Sequence, residues 1–222
     1  MSGPSARFRV LAAALYGVSI PAAGVAAAST TRDYGPGVGG TIPDNNTTGF
    51  LSPVVVEDSF PISSIEVEIN GLRHNYSGDL IVVLLHSGVS PTTPLVWNLR
   101  NGEDADFDGD YVFSDAGADL WAEAQNWTGT EDLPPGVYRP SGPNNDPISL
   151  DGRYIGEDAQ GSWTLRIVDE DFLVEGSFEG WTLRLGGAPA EPCAGDLDGD
   201  GDVTVSDFFI LAGNFGCTND GP

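Results

Sequence analysis

Lysine is absent from this chain of 222 residues; its nine bases are all arginines, set against 33 acids for a formal net charge of −24. So one-sided a surface repels phosphate backbones and anionic headgroups, which excludes nucleic acid and anionic membrane faces as partners. Metal cations, cationic proteins and high-salt surroundings fit it better. Histidine is scarce, with only His74 and His86 present, which leaves little from which to build a histidine-dependent hydrolase. Missing too is any sustained helical period before Cys193; "DAGADLWAEAQ" (Asp115 to Gln125) offers one or two turns at most. Without helices there is no α/β scaffold on which an Asp–His–Ser set of the subtilisin kind could be assembled. Disorder is excluded by the 40% of apolar and 9% of aromatic residues, enough for a core.

What is present reads as strands. "SSIEVEING" alternates strictly, placing Ile65, Val67 and Ile69 on one face and Glu66 and Glu68 on the other. "GDLIVVLLHS" (Gly78 to Ser87) is almost continuously apolar, as a central strand buried on both faces requires. "TPLVWNL" and "YVFSD" follow. Two later stretches, "GSWTLRIVD" from Gly161 and "EGWTLRLGG" from Glu179, share a tetrapeptide and set Trp163, Leu165 and Ile167 against Trp181, Leu183 and Leu185. The short segment between them predicts an antiparallel pair. Short strands at regular spacing, broken by Gly, Pro and Asn, predict an all-β fold, a jelly-roll-type β-sandwich.

Around that core the chain divides by composition. Arg7 and Arg9 precede the apolar run Val10 to Ala28, broken by Gly17, Pro21 and Gly24 and ending in three alanines, so residues 1–28 are expected to be a cleaved signal peptide. Export places the protein in a secreted, extracellular or cell-surface setting, with no membrane span after cleavage. Residues 29–42, rich in Gly and Thr, are expected as a flexible leader, 43–187 as the sandwich and 188–192 as a proline-stiffened linker. Residues 193–217 are expected to form a small loop–helix unit, followed by a tail over 218–222. In an oxidising compartment Cys193 and Cys217, which flank that unit, could pair as a disulfide.

The stretch "DLDGDGDVTVSD" (Asp196 to Asp207) has five carboxylates and no base. A calcium loop of the EF-hand type takes oxygens from positions 1, 3, 5, 7, 9 and 12, with Gly at 6 for a sharp turn. Asp196, Asp198 and Asp200 fill 1, 3 and 5, Gly201 fills 6, the Asp202 carbonyl 7, Thr204 position 9 and Asp207 position 12. Hard oxygen donors in that order predict Ca2+. The following "DFFILAGNFG" predicts one short helix, which needs metal and crosslink to persist. The unit resembles one repeat of a dockerin, a family whose loops also carry Asp at the twelfth position; dockerins have two repeats and this chain has one.

The same spacing recurs in "DADFDGDYVFSD". Asp104, Asp106 and Asp108 take positions 1, 3 and 5, Gly109 takes 6, Asp110 takes 7 and Asp115 takes 12. This predicts a second Ca2+ site on an inter-strand connection, an acidic turn being the alternative.

From about Pro43 to Leu185 the chain resembles the P domain (P/Homo B) that follows the catalytic domain of kexin- and furin-like, subtilisin-type proteases. The matching stretches are His74-x-Tyr76-x-Gly78-Asp79-Leu80, Phe113-x-Asp115, Gly136-x-Tyr138-x-Pro140, Gly161-x-Trp163-x-Leu165 with Asp169, and Gly176 followed by Trp181-x-Leu183. One departure is Ser87-Gly88-Val89-Ser90, where the family has Ser-Pro-Gly-Thr. The resemblance implies a non-catalytic accessory module that stabilises a serine endopeptidase, often with bound calcium. His74 is then expected to hydrogen-bond in a turn, His86 to end a buried strand, and Asp79 and Asp169 to be buried, hydrogen-bonded turn carboxylates. Three functions follow for comparison: a calcium-stabilised binding module acting with a protease or on a cell-surface or polysaccharide-complex partner such as a glycan or cohesin-like protein; a carboxylate-dependent glycosidase; and a structural surface component.

Overall fold

The computed structural model describes residues 30–99, 105–127, 129–187, 197 and 204–213. Ten strands form two sheets. The strands are β1 (Thr30–Ile42), β2 (Phe50–Val56), β3 (Ser64–His74), β4 (Leu80–His86), β5 (Val89–Trp97), β6 (Asp106–Asp119), β7 (Asp132–Leu133), β8 (Gly136–Arg139), β9 (Gly161–Asp169) and β10 (Gly176–Gly187). One sheet runs β1-β10-β3-β6-β7 with β8 also on β6; the other runs β2-β9-β4-β5. The early and late strands alternate between sheets, which is the winding of a sandwich of jelly-roll type, as expected. Pairing is antiparallel except where β7 and β8 lie parallel to β6. Among the described residues there are also three short α-helices, α1 (Leu120–Ala124), α2 (Asp151–Tyr154) and α3 (Val205–Gly213), and two single-turn 3-10 helices at Ser77–Asp79 and Pro143–Asn145.

Side-chain alternation builds the core. Ile65, Val67 and Ile69 of β3 are buried as the period-two pattern predicts, and they face Trp163, Leu165 and Ile167 of β9 and Leu80, Val82 and Leu84 of β4 within one cluster. Strand β4 lacks alternation because its outer face is covered as well: Ile81, Val83 and Val168 form a second cluster under Leu85 and Trp97.

Three local expectations are corrected. First, the two strands sharing the Trp-Thr-Leu-Arg tetrapeptide are not a pair. β9 pairs with β2 and β4, and β10 with β1 and β3, in opposite sheets. Residues 170–175 suffice to cross the roughly 10 Å between stacked sheets, and the crossing turns both tryptophan faces into one core. Second, residues 30–42 are not a leader; they are the edge strand β1, registered along β10 from Thr30↔Gly187 to Ile42↔Gly176. Their glycines serve close approach: a Cβ on Gly37 would lie 1.9 Å from Trp181 Nε1, and one on Gly39 would lie 2.2 Å from the Glu179 backbone. Third, the segment from Asp106 on is strand β6 rather than an inter-strand connection, because Phe107, Tyr111 and Phe113 are needed in the core.

Candidate functional site

The acidic loop enters α3 through a capping arrangement. Thr204 stands just before the helix, and its Oγ1 accepts from the Ser206 N–H at 3.3 Å. In return the Asp207 carboxylate, three residues on, accepts the Thr204 N–H at 2.6 Å through Oδ2. This is a variant of the capping box, with Asp in the acidic position and the threonine oxygen taking the N–H two residues on rather than three. The other oxygen, Oδ1, accepts the Leu197 N–H at 2.7 Å. Asp207, 2% exposed, therefore ties loop position 2 to position 9. Oδ2 also accepts the Thr204 Oγ1–H at 3.4 Å. Thr204 Oγ1 is alongside, 2.6 Å from Ser206 Oγ. Of the six expected donors, Thr204 and Asp207 lie among the described residues, and both are oxygen donors of the kind a hard divalent ion takes. Asp196, Asp198, Asp200, Asp202, Cys193 and Cys217 lie outside the described residues, as do segments 1–28, 188–192 and 218–222.

The second carboxylate run does not fit one ion. Asp104 lies outside the described residues. Asp106 is buried on β6; Asp108 Oδ1 takes the Arg73 guanidinium at 2.8 Å; Asp110 Oδ1 takes the Gly71 N–H at 2.8 Å. Asp115 points elsewhere, accepting Ser149 Oγ–H at 2.5 Å and the N–H groups of Leu150 and Asp151 at 2.7 and 3.2 Å, so that it anchors the start of α2. Among the described residues no group of three His, Cys, Asp or Glu side chains gathers as a metal site. Charge on this sheet is settled internally instead: Arg184 of β10 reaches Asp33 of β1 and Glu66 and Glu68 of β3 at 2.9, 3.1 and 3.2 Å. Its guanidinium is held above the usual arginine range, chiefly by the Glu66 hydrogen bond.

Both histidines are engaged by buried partners. His74 ends β3, and its Nε2–H donates to Asp169 Oδ2 at 3.1 Å with both side chains essentially inaccessible to solvent. Its Nδ1 lies 2.9 Å from the Tyr76 carbonyl oxygen. With both ring nitrogens engaged, the ring is a strut between the two sheets. Asp169 is buried as expected, but its partner was not readable, being 95 residues away. His86 stacks on Trp163 at 4.0 Å and donates through Nε2 to the Gln160 carbonyl at 3.2 Å. Burial pushes its pKa below the ordinary 6.5, against a smaller raising effect of the Gln160 bond and of Asp158 and Glu157.

That depression has a consequence in acid. The unfolded chain binds the proton more readily than the folded one, so the contribution of His86 is complete above pH 6.5 and is lost as pH falls through the lowered folded value. Melting temperature followed from pH 8 to pH 5 should decline in that window (roughly, by the linkage relation), and His86→Gln should flatten the decline. An unchanged slope in the variant would contradict the assignment. Losses from Asp119 and Asp158, whose pKa values lie below the ordinary 3.8, set in only as pH falls below that value.

No protein-family model and no curated protein matches the chain. Solved structures similar to it include the serine protease of Aeromonas sobria in complex with its chaperone ORF2, at 17% identity and a TM-score of 0.44, covering 73% of this chain and 27% of that one. The serine protease of Aeromonas sobria is similar at 17% identity and a TM-score of 0.43, covering 72% and 27%. The chain thus spans about a quarter of the length of the solved chains it resembles.

Proposed function

We propose that this chain is an exported, calcium-binding, non-catalytic accessory module, a P-domain-like sandwich that acts beside a subtilisin-type serine endopeptidase and carries a C-terminal loop–helix unit for attachment. The observation that carries the calcium reading is the closure of the acidic loop by Asp207 across Leu197 and Thr204. Asp196, Asp198 and Asp200, the Asp202 carbonyl, Thr204 and Asp207 would hold the ion, which supplies the positive charge these carboxylates lack. Attachment is supported by α3, where Val205, Phe208, Phe209 and Leu211 are 67, 62, 68 and 47% exposed. An apolar surface of that kind on so short a helix marks a contact face.

Trypsin is a poor probe of an arginine-free tail, so limited digestion with a broad-specificity protease tests the reading. In millimolar calcium the segment after Gly187 should resist cleavage at least tenfold longer than in chelator (an estimate from ligand-linked stabilisation at about 10 Kd), while the sandwich is cut equally slowly in both. Equal cleavage of the tail with and without calcium would overturn it. Turnover of casein or a glycan panel by the purified chain would replace the module reading with an enzymatic one.

A further inference from the structure

Residues 170–175, between β9 and β10, carry a tip that the fold leaves open: Phe172 is 65% exposed and Leu173 94%. The base of this loop is fixed. The N–H groups of Asn45 and Asn46 donate to the Asp171 and Asp169 carbonyls at 3.1 and 2.9 Å, and the Glu170 N–H donates to the Asp79 carbonyl at 3.0 Å. Beneath it Asp169 is locked to His74. Leu173 has a φ of +87°, a left-handed conformation in which a leucine is rarely found, and its N–H is directed at Asp44 Oδ2, 3.4 Å away. Two large apolar side chains on a pinned, strained turn make a pre-organised contact element. Glu170, Asp171 and Glu175 flank it in sequence with no base among them, so the receptor should be apolar with a cationic rim.

A groove of that character lies on the same molecule. It has a volume of about 340 Å³ and is lined by Pro91, Thr92, Pro94, Pro147, Ile148 and Arg153; the last is its cation and also donates through Nη2 to the Pro91 carbonyl at 2.9 Å. That volume suits one or two side chains and lies at the low end for a small-molecule site. The tip does not line the groove of its own chain. In β4, Leu80 pairs with Asp169 beside the tip, whereas Val83 and Leu84, about 10 Å further along the strand, pair with Pro94 and Thr93 of the groove. Phe172 and Leu173 are exposed and are not among the residues that line it.

We propose that the Phe172–Leu173 tip of one copy seats in the Pro91–Pro147–Arg153 groove of a second copy, joining chains head to tail. Because the contact is heterologous, it propagates into open arrays or rings rather than stopping at a dimer. The proposal deepens the module reading but does not involve the acidic loop. It is therefore tested in chelator, where its failure would leave the calcium reading intact.

Sedimentation velocity on the full chain purified from a secreting host, in about 0.3 M NaCl to screen like-charge repulsion, decides it. The weight-average mass of the native chain should rise between about 5 and 200 μM, a range that spans micromolar affinity. Leu173→Gly, which suits the left-handed backbone, and Arg153→Glu should each weaken association at least tenfold. An equimolar mixture of those two variants should form one-to-one dimers and nothing larger, since each supplies the half the other lacks. Thr92→Trp, at an exposed position, fills the groove without touching Arg153 and should match Arg153→Glu. A native chain that stays monomeric, variants that associate like the native chain, or a mixture without dimers would each overturn the proposal.

Discussion

Asp169→Ala should cost about 3–5 kcal/mol of folding stability, the loss associated with leaving one member of a buried pair without the other. The carboxylate has two jobs. Its Oδ2 receives the His74 ring at 3.1 Å, and its Oδ1 receives the Asp171 N–H at 3.2 Å, at the base of the loop that crosses between sheets. Alanine leaves a buried imidazole N–H without an acceptor and frees that loop in the same step. Urea unfolding followed by tryptophan fluorescence measures the effect. Asp169→Asn, which keeps the shape and one acceptor, should recover part of it. The double variant His74→Leu, Asp169→Leu should be less destabilised than the sum of its single changes, because no buried polar group is then stranded. A loss below about 1 kcal/mol in Asp169→Ala would show that the pair does not hold the sheets together.

Trp181→Ala should be comparably severe, at about 3–5 kcal/mol. The indole is fully buried and fills the space between β10 and β2, and its Nε1–H donates to Ser52 Oγ at 2.9 Å. Ser52 in turn donates to the Val38 carbonyl at 2.7 Å, so one hydrogen-bonded chain links β10, β2 and β1. Truncation opens a cavity that Gly37, packed flat against the indole edge, has no side chain to fill. Trp181→Phe should cost less, since most of the apolar contact is kept and only the donor is lost. A smaller loss for alanine than for phenylalanine would contradict this packing.

The same residues explain what the sequence makes legible. Strands β3 and β4 are plain from a period of two and from an unbroken apolar run, because both patterns report burial directly. The edge strand β1 is hidden. Its Gly37 and Gly39 have the composition of a flexible leader, yet they are small because the Trp181 indole and the Glu179 backbone press on them. The shared Trp-Thr-Leu-Arg tetrapeptide states which face of each strand is buried, and nothing in it states to which sheet the strand belongs. In "DADFDGDYVFSD" the carboxylate spacing matches a calcium loop, while Phe107, Tyr111 and Phe113 carry the competing strand signal, and burial of three rings outweighs a turn. The His74–Asp169 pair bridges 95 residues and leaves no local trace. Near the C-terminus the Thr204–Asp207 cap is written in the sequence as Thr-x-x-Asp ahead of an apolar run, a signal that overlaps the metal-ligand spacing of the same residues.

The sandwich is held by its own core and buried pair. On the function proposed above, the acidic unit depends on an ion instead. The most direct measurement is a calorimetric calcium titration of the native chain beside Asp207→Ala and Asp108→Ala. One calcium per chain is predicted for the native protein and for Asp108→Ala, and none for Asp207→Ala, with the urea midpoint of the sandwich the same in all three. Binding that survives Asp207→Ala unchanged, or a native chain that takes up no calcium, would contradict the account.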